Sequence, residues 1–528
     1  MRLLNKYWNE KPYLTIIIIA LFVRIIAAIF SQGYGFHDDH FLVIEAAQSW
    51  VDKSDNNTWL PEIQKKLNPD KEPIPQGHSF LYVGIHYLLL SFLKFIGVNS
   101  PVFKMFLIRL IHAFFSIIIV ITGYKIAYKL SNQKSARQIG LLLAVLWFMP
   151  FFSVRNLVEF VCIPLIMWGL WLIFNSDTKK SIILQYFISG LIMGLAFSVR
   201  FQIALFIGGV GLAILIQKKW KESIIFGFGV IISIFSIQGI IDYIIWDRPF
   251  TEFFEYVRYN IENKYSYGTN NWSMYILVIL GLLIPPLSIF WTFGFFRVWK
   301  KHLLLFLPTF IFILFHTYFP NKQERFILPI ITIFLITGII GWNEFIEKSK
   351  FWKRRKKIMT ISLIFFWIIN LSILPILTTT YTKKSRVESM DYLSKYKDIK
   401  IILCEDTNNR KISFLPQYYL GKWIKIYYYY KHNNIDPKII SQCRGSKFNK
   451  TIYSYKYFEL NQNVVQPDFI LFFDDINLEK RVNEAKKYFP DLKFETIIKP
   501  GFIDIIMRKL NPKNTNQPIY IYKVIPSY

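Results

Sequence analysis

The sequence predicts a polytopic transmembrane helical bundle followed by a small α/β domain, and three observations carry that prediction. Of the 528 residues, 53% are hydrophobic and 18% aromatic, and the apolar residues come in uninterrupted runs rather than in the periodic stripes of a soluble helix. Lys and Arg, which set the formal net charge at +28, concentrate in short segments between those runs. Beyond about residue 380 the long runs stop and short strand-like segments take over.

Runs of about 17 to 25 apolar residues can cross a hydrocarbon core as helices. They fall at 13–31, 103–128, 138–153, 156–175, 182–199, 201–217, 222–246, 273–297, 302–319, 326–343 and 357–378. The first follows a short polar start, Met1 to Lys11, as a secretory signal would. No small-residue cleavage site precedes the polar stretch Gln32 to Asp39, so it reads as a retained span. Pro164, Pro285 and Pro286 lie inside runs, where neighbouring helices can satisfy the freed backbone groups. The run 79–97 is short and carries His86 and Lys94, which suits a helix lying in the interface. Positive charge supports that reading. With 79–97 interfacial, the basic clusters Lys125 to Arg137, Lys179 with Lys180, Lys218 to Lys221, Arg297 to Lys301 and Lys348 to Lys357 all share the side of the N-terminus, as cytoplasmic loops should. The expected topology is therefore about eleven spans, with the N-terminus inside and the C-terminus outside.

Two domains are expected: a membrane domain over 1–379 and a soluble extracytoplasmic α/β domain over 380–528. In the latter, Ile399 to Cys404, Phe469 to Phe473 and Ile519 to Val524 read as strands and Leu478 to Tyr488 as a helix. Tyr427 to Tyr430 reads as a local aromatic run, and no internal repeat is visible. The basic residues are topology signals rather than a nucleic-acid footprint, so no nucleic-acid partner is expected. Three cysteines give neither a metal cage nor a disulfide framework. Cys162 lies in an apolar run, while Cys404 and Cys443 fit either a disulfide in an oxidising compartment or two free thiols.

With this topology the outward loops hold nearly all the charged residues that are not topology signals. The first carries Phe36-His37-Asp38-Asp39-His40-Phe41, with Glu45 about two turns on. The second has Arg155-Asn156 and then Glu159, and the third Arg200-Phe201-Gln202. The fourth runs from Trp246-Asp247-Arg248-Pro249-Phe250 through Tyr259-Asn260 to Tyr267-Gly268 and Trp272. The fifth is Asn321-Lys322-Gln323-Glu324-Arg325-Phe326, ending at Pro329. Adjacent carboxylates at a membrane border raise the pKa of one of them toward that of a useful base. Sugar transfer needs such a base, because the acceptor hydroxyl loses its proton as it attacks the anomeric carbon. A departing lipid phosphate can be stabilised by fixed cations without a metal, and Arg200, Lys322 and Arg325 suit that task. A guanidinium grips two phosphate oxygens where Lys322 acts as a point charge.

Structural readings of the same residues stand beside these. Asp38 and Asp39 also suit a solvated loop or a helix N-cap. Lys322 and Arg325 also suit snorkelling interface anchors. Arg155 and Glu159 also suit an ion pair at helical spacing, and the aromatics of 246–272 an interfacial belt. Convergence favours the functional reading: five separate loops put acids, cations and aromatics on one face, while the other face shows little but Lys and Arg.

These residues resemble glycosyltransferase family 22, the polyprenyl-phosphate-mannose-dependent mannosyltransferases of the GT-C superfamily, over roughly residues 13–345. The family's first-loop acidic pair, followed by an aromatic and a later Glu, is similar to Asp38-Asp39-His40-Phe41 with Glu45. Its late loop, His-Lys-Glu-Glu-Arg-Phe then Pro, is similar to Asn321 to Phe326 with Pro329. Its long loop resembles Asp242, Trp246, Pro249, Phe254, Tyr259-Asn260, Tyr267-Gly268, Trp272 and Tyr275. Asp39, Asn321 and Gln323 depart from the pattern, standing where the family has Glu, His and Glu.

The resemblance implies a GT-C bundle and inverting transfer of a hexose, mannose by analogy, from a polyprenyl-phosphate sugar donor to a glycan or glycolipid acceptor. It implies Asp38 as general base beside Asp39, Arg200, Lys322 and Arg325 on the donor phosphate, and Glu324 orienting the two cations of its loop. Glu45, Arg155, Tyr267 and Trp272 would face the acceptor or sugar. No metal or other cofactor is implied. The Ile, Lys, Asn and Tyr bias suggests an AT-rich bacterial genome, hence a bacterial inner membrane with the site and the C-terminal domain facing the periplasm. A flippase for a lipid-linked sugar is a rival reading, marked by ionisable pairs at mid-span. A non-catalytic assembly subunit is a second rival, which retention of both Asp38 and the Lys322 to Arg325 cluster disfavours.

Overall fold

The computed structural model describes residues 7–176, 179–266, 268–408, 412–429, 449–452, 454–460, 465–511 and 516–525. The chain divides into two compact units: Met1–Ser31 with Ile74–Tyr82 and Ile108–Thr379, and Gln32–Pro73 with Val83–Leu107 and Thr380–Tyr528. The loop that carries Phe36 to Glu45, expected within the 1–379 domain, thus groups with the C-terminal residues.

The first unit is helical. Among the described residues, six helices of the chain are long and apolar enough to cross a membrane: Pro12–Phe30, Pro101–Leu130, Ile182–Val199, Trp220–Trp246, Glu324–Lys348 and Lys356–Thr378. A bent pair, Met274–Leu282 with Leu287–Arg297, turns by 116° and brings the number to at most seven. Four of the remaining expected spans are shorter or broken for physical reasons. Val158–Phe174, Phe201–Ile216 and Leu303–Tyr318 are apolar but have fewer than 18 residues. The run 138–153 is not one helix: Gln133–Val145 ends where Leu146 turns extended (ψ 131°), and a short turn, Met149–Phe152, follows. The backbone freed there is satisfied by Asn370, which donates to the Val145 carbonyl and accepts from the Trp147 N–H, each at 2.9 Å. Trp147 in turn donates to the Leu282 carbonyl beside the Pro285–Pro286 bend (2.9 Å). Polar backbone without water must find such partners.

One span carries a charge that the apolar runs obscured. Arg24 is fully buried, and its guanidinium donates to Ser116 Oγ (2.9 Å), the Ala20 and Ala144 carbonyls (3.3 and 3.1 Å) and the Leu143 carbonyl (3.1 Å). It ties three helices together, and none of these partners is an acid. Glycines set the closest contacts. A Cβ at Gly190 or Gly229 would strike the backbone of the facing helix, so Lys179–Val199 packs directly on Trp220–Ile234. Gly294, Gly338 and Gly341 do the same for Leu287–Arg297 against Leu328–Lys348. The apolar stretch of Glu324–Lys348 is 94% buried, which makes it the central helix of the unit.

The second unit is built on a six-stranded sheet: β1 (Ile401–Glu405), β2 (Lys425–Tyr429), β3 (Asn449–Ile452), β4 (Phe469–Phe473), β5 (Leu492–Ile498) and β6 (Ile519–Val524), in the order β3-β2-β1-β4-β6-β5. The first four are parallel and β6 runs antiparallel to both β4 and β5. Strands β1 and β4 are buried at every residue, as parallel strands covered on both faces must be. Lys384–Leu393, Leu478–Lys486 and Phe502–Leu510 are its main helices, and Tyr427, Tyr429, Tyr455, Phe458 and Phe489 fill one side of the core. Cys404 is buried in β1, and Cys443 lies outside the described residues.

Candidate functional site

In the first unit three helix ends bring Glu159, Arg200 and Arg325 together. Glu159 opens Val158–Phe174, Arg200 follows the last residue of Lys179–Val199, and Arg325 precedes Leu328–Lys348, whose Pro329 suits a first turn. Glu159 Oε1 lies 3.0 Å from Arg200 Nη2 and 3.6 Å from Arg325 Nε. The carboxylate is 0% exposed, yet neither oxygen accepts an aligned hydrogen bond from a protein group. Both guanidinium carbons lie over the Phe326 ring, at 5.7 and 5.8 Å from its centroid. An aromatic face holds cations without neutralising them.

Two amides aim the guanidiniums. Gln202 Oε1 accepts from Arg200 Nε (3.3 Å) and Gln323 Oε1 from Arg325 Nε (2.9 Å). The Gln323 carbonyl accepts from Tyr275 Oη (3.3 Å), while Asn321 bridges to Thr269 and the Lys322 N–H reaches the Gly268 carbonyl (3.3 Å), so the loop is fixed from a second side. Lys322 is buried and donates to the Phe319 carbonyl at 2.7 Å, and desolvation lowers its pKa. The centre holds two guanidiniums and one carboxylate, with an ammonium on the same loop. Guanidiniums and an ammonium placed in this way suit an anion such as phosphate.

One expected role and one alternative reading change. Glu324, expected to orient the cations, is exposed, and the carboxylate between the guanidiniums is that of Glu159. The alternative reading of an Arg155 to Glu159 ion pair gives way, since Glu159 pairs with the two other arginines: Arg155 is buried, donates to Ser31 Oγ (2.9 Å) and lies 4.5 Å over the Phe151 ring. Trp272 is 69% exposed, and Tyr267 lies outside the described residues.

The long loop is anchored by buried acids. Asp242 accepts from Gln238 Nε2 (2.9 Å) and from the Glu252 N–H (3.0 Å). Glu252 Oε2 gathers the N–H groups of Gln76, Gly77 and His78 at 2.9, 2.6 and 3.2 Å. Gly77 adopts φ +69° beside the Tyr256 backbone, where a side chain would be strained and tightly packed. Burial pushes the Glu252 carboxyl up to about 7 despite those donors. Among the family-like residues of this loop, Asp242 is therefore structural, a role that sequence could not separate from a catalytic one.

In the second unit the first loop forms a short helical turn, His37–Asp39, that passes into a π-helix, His40–Glu45. Bonding from i to i+5 stacks position 40 over position 45, which brings His40 Nε2 to 3.7 Å from Glu45 Oε1. His40 lies between the Tyr34 and Tyr419 rings, at 4.7 and 5.5 Å, and Glu45 accepts the Tyr418 N–H at 2.9 Å. Asp38 is half-buried and Asp39 buried. Among the described residues no group of three or more His, Cys, Asp or Glu side chains is gathered to hold a metal ion.

The fold is that of GT-C membrane glycosyltransferases. Crystal structures of ArnT from Cupriavidus metallidurans, bound to undecaprenyl phosphate and in the apo state, each align with a TM-score of 0.62 at 10% identity. The first covers 97% of this chain and 98% of that one, the second 96% and 97%. The apo oligosaccharyltransferase of Archaeoglobus fulgidus aligns with a TM-score of 0.51 at 10% identity, covering 91% of this chain and 72% of its own. No curated protein matches the chain in sequence. The model of the Alg9-like mannosyltransferase family matches residues 15–420, and the chain belongs to that family. It is a multi-pass membrane glycosyltransferase.

Proposed function

We propose that this enzyme transfers mannose from a polyprenyl-phosphate carrier to a glycan or glycolipid acceptor at the periplasmic face of a bacterial inner membrane, with inversion at the anomeric carbon. The observation that carries the reading is the pair of guanidiniums, Arg200 and Arg325, held about one buried carboxylate. Undecaprenyl phosphate in the ArnT structure supports a carrier of this kind. The periplasmic orientation, the count of about eleven crossings and the division at residues 379 and 380 belong to the same proposal.

In this mechanism Asp38 removes the acceptor proton as the hydroxyl oxygen attacks, and the bond from the anomeric carbon to the phosphate oxygen breaks with its electron pair left on phosphate. The donor is a phosphodiester of one negative charge, while the departing monoester carries roughly 1.5 to 2. Arg200, Arg325 and Lys322 supply positive charge, so attraction grows as the bond breaks. Interactions that strengthen toward the transition state raise the rate rather than mere affinity. Asp39 holds the acidic loop, Glu45 fixes His40 beneath it, and Arg155, Tyr267 and Trp272 serve the acceptor or sugar.

The experiment is radiolabelled transfer in membranes supplied with polyprenyl-phosphate mannose, followed by analysis of extracted glycolipids. Transfer that depends on Asp38 and Arg325 is expected. Full activity in both Asp38→Asn and Arg325→Met removes the assignment.

A further inference from the structure

Within the second unit a cavity of about 310 Å³ is lined by Gln48, Asp52, Lys94, Lys104, Gln417 and Trp423, among others. Three segments distant in sequence contribute to it, and its volume lies at the small end of the range for small-molecule sites. Asp52 is already engaged: it accepts from Lys94 Nζ (2.8 Å), Gln48 Nε2 (3.0 Å) and Trp423 Nε1 (3.2 Å). The remaining wall is donor-rich. Lys104 is 5% exposed, and its ammonium makes one long hydrogen bond, to Gln48 Oε1 at 3.4 Å. Gln417 is 2% exposed; its Oε1 accepts the Ile424 N–H at 2.9 Å, which fixes the amide, and its Nε2 donates to no protein acceptor. Lys422 Nζ spends two donors on the Tyr396 and Lys397 carbonyls, at 2.7 and 2.8 Å.

A buried donor left without an acceptor is costly, and a buried ammonium more so. The Gln417 amide nitrogen has no protein acceptor and the Lys104 ammonium only a long one, and both line one cavity beside the Trp423 and Tyr418 rings. We propose that this cavity binds the anionic group of a saccharide acceptor, a phosphate or carboxylate carried on a sugar. The inference rests on the glycosyl-transfer reading and names its acceptor class. Lys104 and Lys94 supply the charge, Gln417 Nε2 a directed donor, and the aromatic rings an apolar face for the sugar. The free anion and a phospholipid headgroup share this chemistry, so both are tested as competitors.

The full-length protein in phosphatidylcholine nanodiscs is titrated calorimetrically with mannose 6-phosphate, glucuronate, methyl mannoside and inorganic phosphate. The two anionic sugars are expected to bind saturably, phosphate more weakly than mannose 6-phosphate, and methyl mannoside not at all. Lys104→Met and Gln417→Glu are each expected to weaken the anionic sugars by about tenfold or more. Gln417→Glu keeps the acceptor for Ile424 and reverses only the donor, so it carries the test should Lys104→Met fail to fold. Equal binding of the neutral sugar, no binding of any sugar, or unchanged affinity in a folded variant overturns the proposal. Loss of sugar binding when phosphatidylglycerol enters the nanodisc also overturns it, in favour of a lipid site. Arg325→Met, which stops transfer under the functional reading, leaves anionic-sugar binding intact. Transfer to a neutral acceptor that survives Lys104→Met would remove this inference and leave that reading standing.

Discussion

Replacing Glu159 by Gln removes the carboxylate from between two guanidiniums while keeping the shape. At 3.0 and 3.6 Å, and at the effective dielectric of about 20 suited to such sites, each attraction is worth about 5 kcal/mol before desolvation is subtracted. The side chains are only 16% and 10% exposed at Arg200 and Arg325, so solvent screening is small. Removing one partner of a buried ion pair costs roughly 3 to 5 kcal/mol, and here one carboxylate is shared by two arginines. Glu159→Gln should therefore lower the melting temperature of the detergent-purified protein by several degrees. An anion that replaces the lost charge should restore stability, so undecaprenyl phosphate should raise the melting temperature of the variant by more than that of the wild type. A variant that melts with the wild type, or gains nothing extra from the lipid phosphate, would show that Glu159 does not hold the arginines and that the centre is no phosphate site.

Other consequences can be checked independently. Arg325→Lys keeps the charge but cannot grip two oxygens while held by Gln323; kcat for transfer should fall roughly 10²- to 10³-fold with little change in KM, as steady-state kinetics would show. Asp38→Asn should reduce kcat by about 10²- to 10⁴-fold in the radiolabelled assay, the range of a lost general base. Glu252 titrates near 4.5 when unfolded and at about 7 in the fold, so the folded protein holds an extra proton between those values. Stability should therefore fall as pH rises from about 4.5 to about 7 and then level off. Melting curves of Glu252→Gln should lack that slope.

The charged loops were legible because any ionisable residue beside an apolar run stands out. Arg200 and the Lys322 to Arg325 segment were singled out that way, and β1, β4 and β6 were found from short apolar runs. The partner of the arginines was not. Glu159 sits at helical spacing from Arg155, and local spacing suggested a pair that helix packing replaces with contacts from two distant helix ends. Strand β2 hid within the aromatic run at Tyr427, β3 is polar, and β5 carries a register shift between Phe494 and Thr496 that blurs its alternation. The break at Leu146 was hidden because its repair comes from Asn370, and hydropathy reads only the apolar run. The cavity at Lys104 could not be found by pattern, since its walls come from three separate segments.

The central claim is that Arg200 and Arg325 recognise a lipid-linked phosphate. Its most direct test is equilibrium binding of undecaprenyl phosphate, the polyprenyl-phosphate mannose diester and uncharged undecaprenol to the purified protein and to Arg325→Met. The monoester should bind more tightly than the diester and both more tightly than the alcohol, with Arg325→Met collapsing the differences. Equal binding of the alcohol and the phosphates, or a variant that still discriminates among them, would contradict the claim.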